Sequence, residues 1–589
     1  MAERTVLEVL ADVALHHGDR VALKVKRSGA WQTLTWSVYR QRALQVGRAL
    51  VALGVEPRSG VAILAYNAPE WVLADVGAIL AGAWPAGIYT TSSVEQCEYI
   101  LRHCEARVAF TDSAEQSRKL LPLRQKLPTL LTIVQWGGEP VAEGVLDWEA
   151  FLAKGEERLQ GELDARGSAQ KPDDVCTLIY TSGTTGSPKS VMISHANCTW
   201  VAETVARVNQ LGPDDVGVSY LPLSHVAEQV LTVHGPMQKG GSIAFAQSLD
   251  TVAAALVEAR PTVFFAVPRV WEKIQARMAA AGASSPPLRR RLVAWARAQG
   301  LRGGYAEQTR KAKPLLFGVA ERLVFRKVRE RLGLDRARIC SSGAAPISRD
   351  TLEFFLALGI PILEVYGMSE CTGPAVLSTP DRYRTGKAGW VVPGSEVKIA
   401  TDGEILIRGP HVFKGYLHDP EATLATIDAE GWLHSGDIGV MDAEGFLQIT
   451  DRKKELIITA GGENVSPQLV EGHLLSIPVV AQAVVVGDRQ KHLAALLTLD
   501  PDKVKAVAEA AGSPARDAGE AADCAAFRTH LHQQIEQVNQ RLARVQGVKK
   551  FAILKKELSI EGGELTPTMK LKRRVIHSKY QDVIDKLFS

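Results

Sequence analysis

The chain has 589 residues, 46% apolar and 23% charged, which is ordinary for a folded protein and rules out disorder as its main state. At roughly 100–200 residues per domain, this length calls for two to four domains. The net charge of +4 argues against a nucleic-acid binder, but it hides a basic segment: residues 289–331 hold 13 Lys or Arg against three Asp or Glu, a net +10 that leaves −6 elsewhere.

In chain order, short apolar runs read as buried strands at 61–66 (VAILAY), 106–112, 176–182, 241–246 and 262–267. Helical patterns of ten or more residues separate most of them, which predicts an α/β fold with a mostly parallel sheet covered by helices. Such crossovers put ligands at the carboxyl ends of strands. Within the basic segment, Leu288, Leu292 and Trp295, then Leu316, Ala320, Val324, Val328 and Leu332, recur at helical spacing. After Gly386, short runs broken by Gly, Pro and Asp predict a compact β-rich section. The charged stretch DRKKE (451–455) marks a domain boundary, giving a large domain over 1–452 and a small α/β domain over 453–589, for which roughly 135 residues suffice. Residues 506–526, rich in Ala with Gly, Ser and Pro, read as a surface insertion.

Seven scattered cysteines make no disulfide framework, and Cys97 and Cys104 lack metal-ligand spacing; a reducing, cytoplasmic setting fits. The opening MAERTVLEVL has no signal pattern. The best apolar run, 73–89, is interrupted by Asp75 and Pro85, so any membrane contact is expected to be peripheral.

The strongest chemical signal follows the strand at 176–182. From Thr181 to Lys189 there are five Ser or Thr hydroxyls, two glycines and a terminal lysine (YTSGTTGSPKS, 180–190). Glycine lets backbone approach a ligand closely, and consecutive N–H groups cup anionic oxygens, so the loop suits phosphate. Residues 183–190 nearly fit the G-x-x-x-x-G-K-[ST] loop of P-loop NTPases, but Pro188 stands where glycine is needed and has no N–H to donate. A plain Ser/Thr/Gly surface loop is the bland rival.

The loop resembles the phosphate loop of the adenylate-forming (AMP-binding) superfamily of acyl-CoA synthetases, peptide-synthetase adenylation domains and beetle luciferases. Six more motifs of that superfamily follow in order: LPLSHVAE (221–228), SSGAAP (341–346), VYGMSE (365–370), GWLHSGDIG (431–439), ITDRKKELIITAGGENVSP (449–467) and LTPTMKLKR (565–573). YNAPEW (66–71) and GAWPAGIYTT (82–91) are also similar. VPRVWEKI (267–274) resembles the long-chain fatty acyl-CoA synthetase branch, and GGENVSP with LPLSH its bubblegum-type subgroup. The resemblance implies a large N-terminal domain of helix-covered, mostly parallel sheets with a small β-rich section, and a small mobile α/β C-terminal domain. It implies a ligase that joins a long-chain fatty acid to coenzyme A through an acyl-adenylate, consuming ATP with Mg²⁺ and releasing AMP and pyrophosphate.

Carried over by position, the phosphate loop contributes Thr181, Ser182, Gly183, Thr184, Thr185, Gly186 and Lys189. Gly343 and Ala344 are small enough to let adenine lie against backbone. Tyr366, which alone reads as a core tyrosine, gains an adenine-stacking role from its neighbours Gly367 and Met368; Ser369 can hydrogen-bond a phosphate. Glu370, with Thr181, is the hard-oxygen candidate for Mg²⁺. Asp437 matches the aspartate that holds the ribose diol, with Arg452 beside it, although a Gly-flanked aspartate also makes a turn. His225 reads equally as a satisfied core histidine and as a wall of the acyl pocket, and no G-x-S-x-G elbow supports a Ser-His hydrolase. By charge alone Lys570, Lys572, Arg573 and Arg574 are indistinguishable; the resemblance singles out Lys570. The chemistry needs such a cation, because a carboxylate attacking an α-phosphate brings two anions together. Lys454 matches the hinge about which the small domain rotates, and Gly461, Gly462 and Glu463 would then line a pantetheine tunnel. Otherwise DRKKE is an exposed charged linker.

Three positions depart from the pattern: Ser190 and Asp451 replace glycines, and Ser369 replaces threonine. None removes a reacting group. Two other reactions stay open on the same scaffold: CoA ligation of an aryl or short- or medium-chain acid, and acyl-adenylate donation to a carrier protein in trans. A binding module without chemistry is the non-enzyme alternative. The basic segment 289–331 has three readings: a surface helix with solvated charges, a peripheral contact with anionic membrane, and an attractor for CoA phosphates. The sequence leaves the oligomeric state open.

Overall fold

The computed structural model describes residues 3–589 apart from 182–187, 247, 249–250, 284, 462 and 567–568. The five apolar runs form strands Gly60–Leu64, Ala106–Thr111, Val175–Thr181, Ser242–Phe245 and Val263–Ala266. An eight-stranded sheet is parallel from Val145–Asp147 through Thr132–Gln135, Ala106–Thr111, Gly60–Leu64 and Trp84–Ile88 to Val175–Thr181. Lys189–Ser194 then turns back antiparallel, and Gly415–Tyr416 closes that edge. The apolar run 73–89 is split between the helix Pro69–Leu80, buried on every face, and the strand Trp84–Ile88. Among the described residues no helix is long and apolar enough to cross a membrane.

The nine-stranded second sheet begins with three parallel strands, Val263–Ala266, Ile339–Ser342 and Ile362–Met368. It continues antiparallel through Gly373–Leu377, Gly389–Val391, Phe446–Arg452, Leu433–Met441, Glu404–Arg408 and Glu396–Ile399. The β-rich section after Gly386 is therefore the antiparallel wing of a mixed sheet rather than a layer of its own. A four-stranded sheet pairs Val216–Ser219 and Ser242–Phe245 with the hairpin Val21–Arg27/Ala30–Thr35.

Beyond residue 456 the chain packs around its own three-stranded sheet, Val480–Val486, Leu493–Leu499 and Val548–Ile553. Alternate residues serve two cores: Ala483, Val485, Ala495 and Leu497 face one cluster, and Val484, Val486, Ala494 and Leu496 the other. This two-sided burial is why both strands read as unbroken apolar runs.

The Ala-rich stretch 506–526 is not a surface insertion. It lies across helices Pro501–Ala510 and Ala518–Asp523 and the start of Ala525–Asn539, with Ala508, Ala515, Ala521 and Ala522 buried in the same cluster as Phe527 and Leu531. One face of these helices packs on the core while the other, with Ala506, Ala510, Ala525 and Ala526, is exposed.

Candidate active site

The site gathers at carboxyl ends of strands. Val175–Thr181 ends at the phosphate loop, Ile339–Ser342 ends at Gly343 and Ala344, and Ile362–Met368 delivers Tyr366 to Glu370. A Cβ on Gly343 would lie 2.7 Å from the Val365 carbonyl oxygen, and one on Gly367 would lie 1.8 Å from that of Gly373, so both positions need glycine. Ala344 holds a left-handed backbone with φ 66°. Ser182, Gly183, Thr184, Thr185, Gly186 and Gly462 lie outside the described residues.

A hairpin of two antiparallel strands sets Asp437 directly opposite Arg452. The Arg452 Nε donates to Asp437 Oδ1 at 3.1 Å, and the Tyr366 hydroxyl donates to Oδ2 at 2.8 Å. Burial would lower the Arg452 pKa, but Asp437 and Glu455 outweigh it and hold the guanidinium firmly charged. Burial, then Asp437, pushes the Tyr366 phenol well above its usual value, so it stays a donor. Both residues are buried, with Asp437 6% exposed.

Lys570 comes from the far end of the chain. Its loop is pinned by the Leu565–Leu571 bridge and by its own N–H donating to Thr566 Oγ1 at 3.0 Å, with Met569 packed on the small-domain core. The ammonium is half-buried among charges from both halves of the molecule. Burial and then Arg452 push its pKa down to about 8, against the pull of Asp437, Glu370 and Glu455.

Glu370 is 9% exposed and accepts a 2.7 Å hydrogen bond from the Tyr416 hydroxyl on Oε1. The Lys189 ammonium lies 4.6 Å from the centre of the Tyr416 ring, a cation–π contact that anchors the end of the phosphate loop to the carboxylate. Thr181 Oγ1 donates to the Lys189 carbonyl at 3.5 Å, so it stands at the same end of the loop. One buried carboxylate with hydroxyls nearby is the donor set that Mg²⁺ takes together with substrate phosphates, so these residues fit that ion.

His225 is half-buried and caps the helix Val226–Gln229, its Nδ1 accepting from the Ala227 N–H at 3.2 Å. Burial and then Lys570 lower its pKa to about 4, so the ring is neutral at physiological pH. Asn67 of YNAPEW donates to Ser219 Oγ at 2.9 Å and to the Leu221 carbonyl at 2.6 Å, and accepts from the Leu223 N–H at 3.1 Å. A Cβ on Gly87 of GAWPAGIYTT would lie 2.6 Å from Ser224 Cα. Both early motifs thus hold the segment that carries His225. Glu228, 2% exposed and raised to about 7 by burial, accepts from Ser219, Thr232 and the Tyr220 N–H. It borders an apolar recess lined by Val218, Val230, Leu231, Ile243 and Phe265.

Lys454, Gly461 and Glu463 are exposed, the last two in the turn of the small ribbon Ile457–Ile458/Asn464–Val465. No hydrogen bond or ion pair among the described residues joins them to Asp437, Glu370 or Lys570. Of the departures, Ser190 is 1% exposed in extended strand, so the glycine of the pattern is not needed there for backbone reasons. Ser369 is buried in the turn after Met368. Asp451 is fully buried, and its raised pKa reflects burial offset by Ser466, the Arg452 N–H and Arg573.

Sequence reasoning missed Tyr416, Arg269 and the role of Arg573. Arg573 donates through Nε to Glu455 at 3.0 Å and through both terminal nitrogens to Glu471 at 2.8 and 2.6 Å. It ties the segment carrying Lys570 to the residue just past Arg452. Arg269 of VPRVWEKI donates to the Ala481 carbonyl at 2.9 Å, reaching from the large domain to the small sheet. The signal for Arg573 lay in its being one of four cations within 570–574, but pairing with carboxylates 102 and 118 positions away leaves no local pattern.

The AMP-binding enzyme family model matches residues 10–417, and the AMP-binding enzyme C-terminal domain model matches 454–589. The chain belongs to the AMP-binding enzyme family. Among relatives, it is 41% identical to the long-chain-fatty-acid–CoA ligase ACSBG2 of Xenopus laevis, covering 99% of this chain and 84% of that one. It is 38% identical to the long-chain-fatty-acid–CoA ligase ACSBG1 of Homo sapiens, covering 99% and 85%. In fold it is similar to the adenylation domain of a Mycobacterium chelonae carboxylate reductase, with TM-score 0.76, 22% identity and coverage of 100% and 92%. It is also similar to a benzoate CoA ligase from Burkholderia xenovorans LB400, with TM-score 0.72, 20% identity and coverage of 97% and 99%.

Arg573→Ala would strand the buried Glu471 carboxylate. We expect it to destabilise the small domain by about 3–5 kcal/mol, read by urea unfolding; a loss under about 1 kcal/mol, typical of an exposed pair, would contradict the assigned role.

Proposed function

We propose that the chain is an AMP-forming long-chain fatty acid–CoA ligase. The reading rests above all on Lys570: a cation from the last motif of the chain, held among Glu370, Asp437 and Arg452, where two anionic substrates have to meet. Full-length similarity to long-chain-fatty-acid–CoA ligases supports the substrate class. An aryl or short-chain acid and a carrier protein in trans are not favoured.

In the first half-reaction the fatty acid carboxylate attacks the α-phosphorus of ATP. A carboxyl–phosphate bond forms, the α–β bridge breaks, and pyrophosphate leaves with the electron pair. The nucleophile is already ionised, so no general base is required. Lys570 offsets the charge that builds on the α-phosphoryl oxygens, in a site where burial strengthens its effect. The loop 181–189, with Lys189, holds the phosphates; Asp437 accepts from the ribose hydroxyls; adenine lies between Tyr366 and the small residues Gly343 and Ala344, and Gly367, Met368 and Ser369 frame it. Glu370 and Thr181 would hold Mg²⁺ together with the phosphates, and the ion would supply further charge neutralisation. The neutral His225 walls the acyl side, and the recess beyond it takes the chain. In the second half-reaction the CoA thiol loses its proton and attacks the adenylate carbonyl, and AMP leaves.

We place the domain division at 452/453, with Lys454 as hinge. We assign this arrangement to the first half-reaction, because Lys570 stands among Arg452, Asp437 and Glu370. Rotation about Lys454 would withdraw it and bring Gly461, Gly462 and Glu463 to the pantetheine. The setting we propose is cytoplasmic, with peripheral membrane contact through 289–331.

The substrate reading is tested by CoA consumption across acids from acetate and benzoate to very long chains. A maximum among long-chain acids is expected; a maximum at acetate or benzoate would overturn it. Because Lys570 is charged below its pKa, adenylation should hold at neutral pH and fall as pH rises through about 8. The kcat/KM for adenylate formation should show that alkaline limb. Lys570→Arg, which keeps its charge, should be slower but lack it; a wild-type profile flat across this region would contradict the assignment.

A further inference from the structure

The basic segment is an antiparallel helical hairpin. Pro287–Gln308 runs out, and Phe317–Ala320, Glu321–Phe325 and Arg326–Leu332 run back. Its inner face is closed by Ala296, Ala320, Val324 and Phe325, and a Cβ on Gly303 would lie 2.2 Å from the Phe317 ring. Trp295, Ala320, Val324 and Val328 of the expected stripe therefore pack inside the hairpin, whereas Leu288, Leu292 and Leu316 are exposed. A second apolar face points outward. Leu315 is fully exposed, Leu316, Val319 and Leu323 are 44–51% exposed, and Leu288 is 80% exposed. Of the 17 large apolar side chains exposed among the described residues, six fall within 288–323. Solvated charge would explain the arginines, but not leucines grouped among them.

Part of the hairpin's charge is uncompensated. Among the described residues, Arg289, Arg290, Arg291, Arg322, Lys327 and Arg331 are exposed and have no carboxylate within ion-pair distance. The hairpin carries +10 while the rest of the chain carries −6. Near an anionic surface that asymmetry turns the hairpin inward and the remainder away. A second copy is a poor occupant, since a two-fold contact would set two +10 faces against each other.

We propose that the 287–332 hairpin docks on an anionic lipid bilayer. Leu315, Leu316, Val319 and Leu323 enter the boundary of the acyl region, and Arg289, Arg290 and Arg291 meet lipid phosphates. The inference rests on the long-chain acid reading for its purpose: such acids partition into bilayers, so an enzyme resting there meets them concentrated. The surface chemistry stands apart from that reading.

The test is co-sedimentation of the full chain, without ATP or fatty acid, on vesicles of phosphatidylcholine with and without phosphatidylglycerol. Binding is expected on the anionic vesicles at low salt and should weaken as salt rises. Replacing Arg289, Arg290 and Arg291 by Gln should lower the partition coefficient about a hundredfold, at about fivefold per charge. Leu315→Ser with Leu316→Ser should lower it at least about tenfold. Both variants should keep wild-type acyl-CoA synthesis from acid supplied without vesicles, which shows that they fold. Absence of wild-type binding at low salt, or equal binding by wild type and variants, would overturn the proposal. So would a dimer seen by analytical ultracentrifugation that the leucine variant abolishes while vesicle binding is absent. Loss of ligase activity with intact vesicle binding would instead count against the enzymatic reading.

Discussion

The cross-strand pair of Asp437 and Arg452 organises the site. Its 3.1 Å contact lies at the end of an antiparallel hairpin, and the chain enters its last section just beyond Arg452. Tyr366, 71 positions earlier, occupies the other carboxylate oxygen. One carboxylate therefore ties together the end of a hairpin inside the mixed sheet, the VYGMSE segment and the start of the link to the small domain. In a buried setting such charge-assisted bonds are strong, and stranding any one member would be costly.

Lys570 completes this cluster at an energetic cost. Burial and Arg452 oppose its charge while Asp437, Glu370 and Glu455 favour it, and the balance holds its pKa down at about 8. An ammonium so poised is well placed to answer charge that appears during reaction rather than beforehand. The polyphosphate would restore the missing negative charge on binding. Around this centre two supports act at a distance. Asn67 and Gly87 seat the His225 segment, and Arg573 locks the lysine-bearing segment to Glu455 and Glu471.

Much of this was readable from the chain. Period and length found five strands, because buried parallel strands are short apolar runs between helices, but passed over others such as Trp84–Ile88 and Thr132–Gln135. Hydroxyl and glycine density singled out the loop after Thr181, and the ordered motifs singled out Asp437, Arg452 and Lys570. What escaped was set by long-range packing. Tyr416 sits in an unremarkable FKGYLHDP turn and matters because it reaches Glu370 across 46 positions. Arg573 looked like its neighbours until two distant carboxylates claimed it. The Ala-rich stretch misled because alanine suits both exposed helices and tight helix–sheet contacts, and composition does not say which. Ser190 looked like a loss of backbone freedom, yet it lies in extended strand where any residue fits.

The central claim is that Lys570 serves the joining of carboxylate to phosphate and not the transfer to CoA. The most direct measurement is Lys570→Ala assayed in two ways: pyrophosphate release from ATP and fatty acid, and thioester formation from supplied acyl-adenylate and CoA. The account predicts a fall of about 10²–10³ in the first and a change of no more than a few fold in the second. An equal loss in both would contradict it.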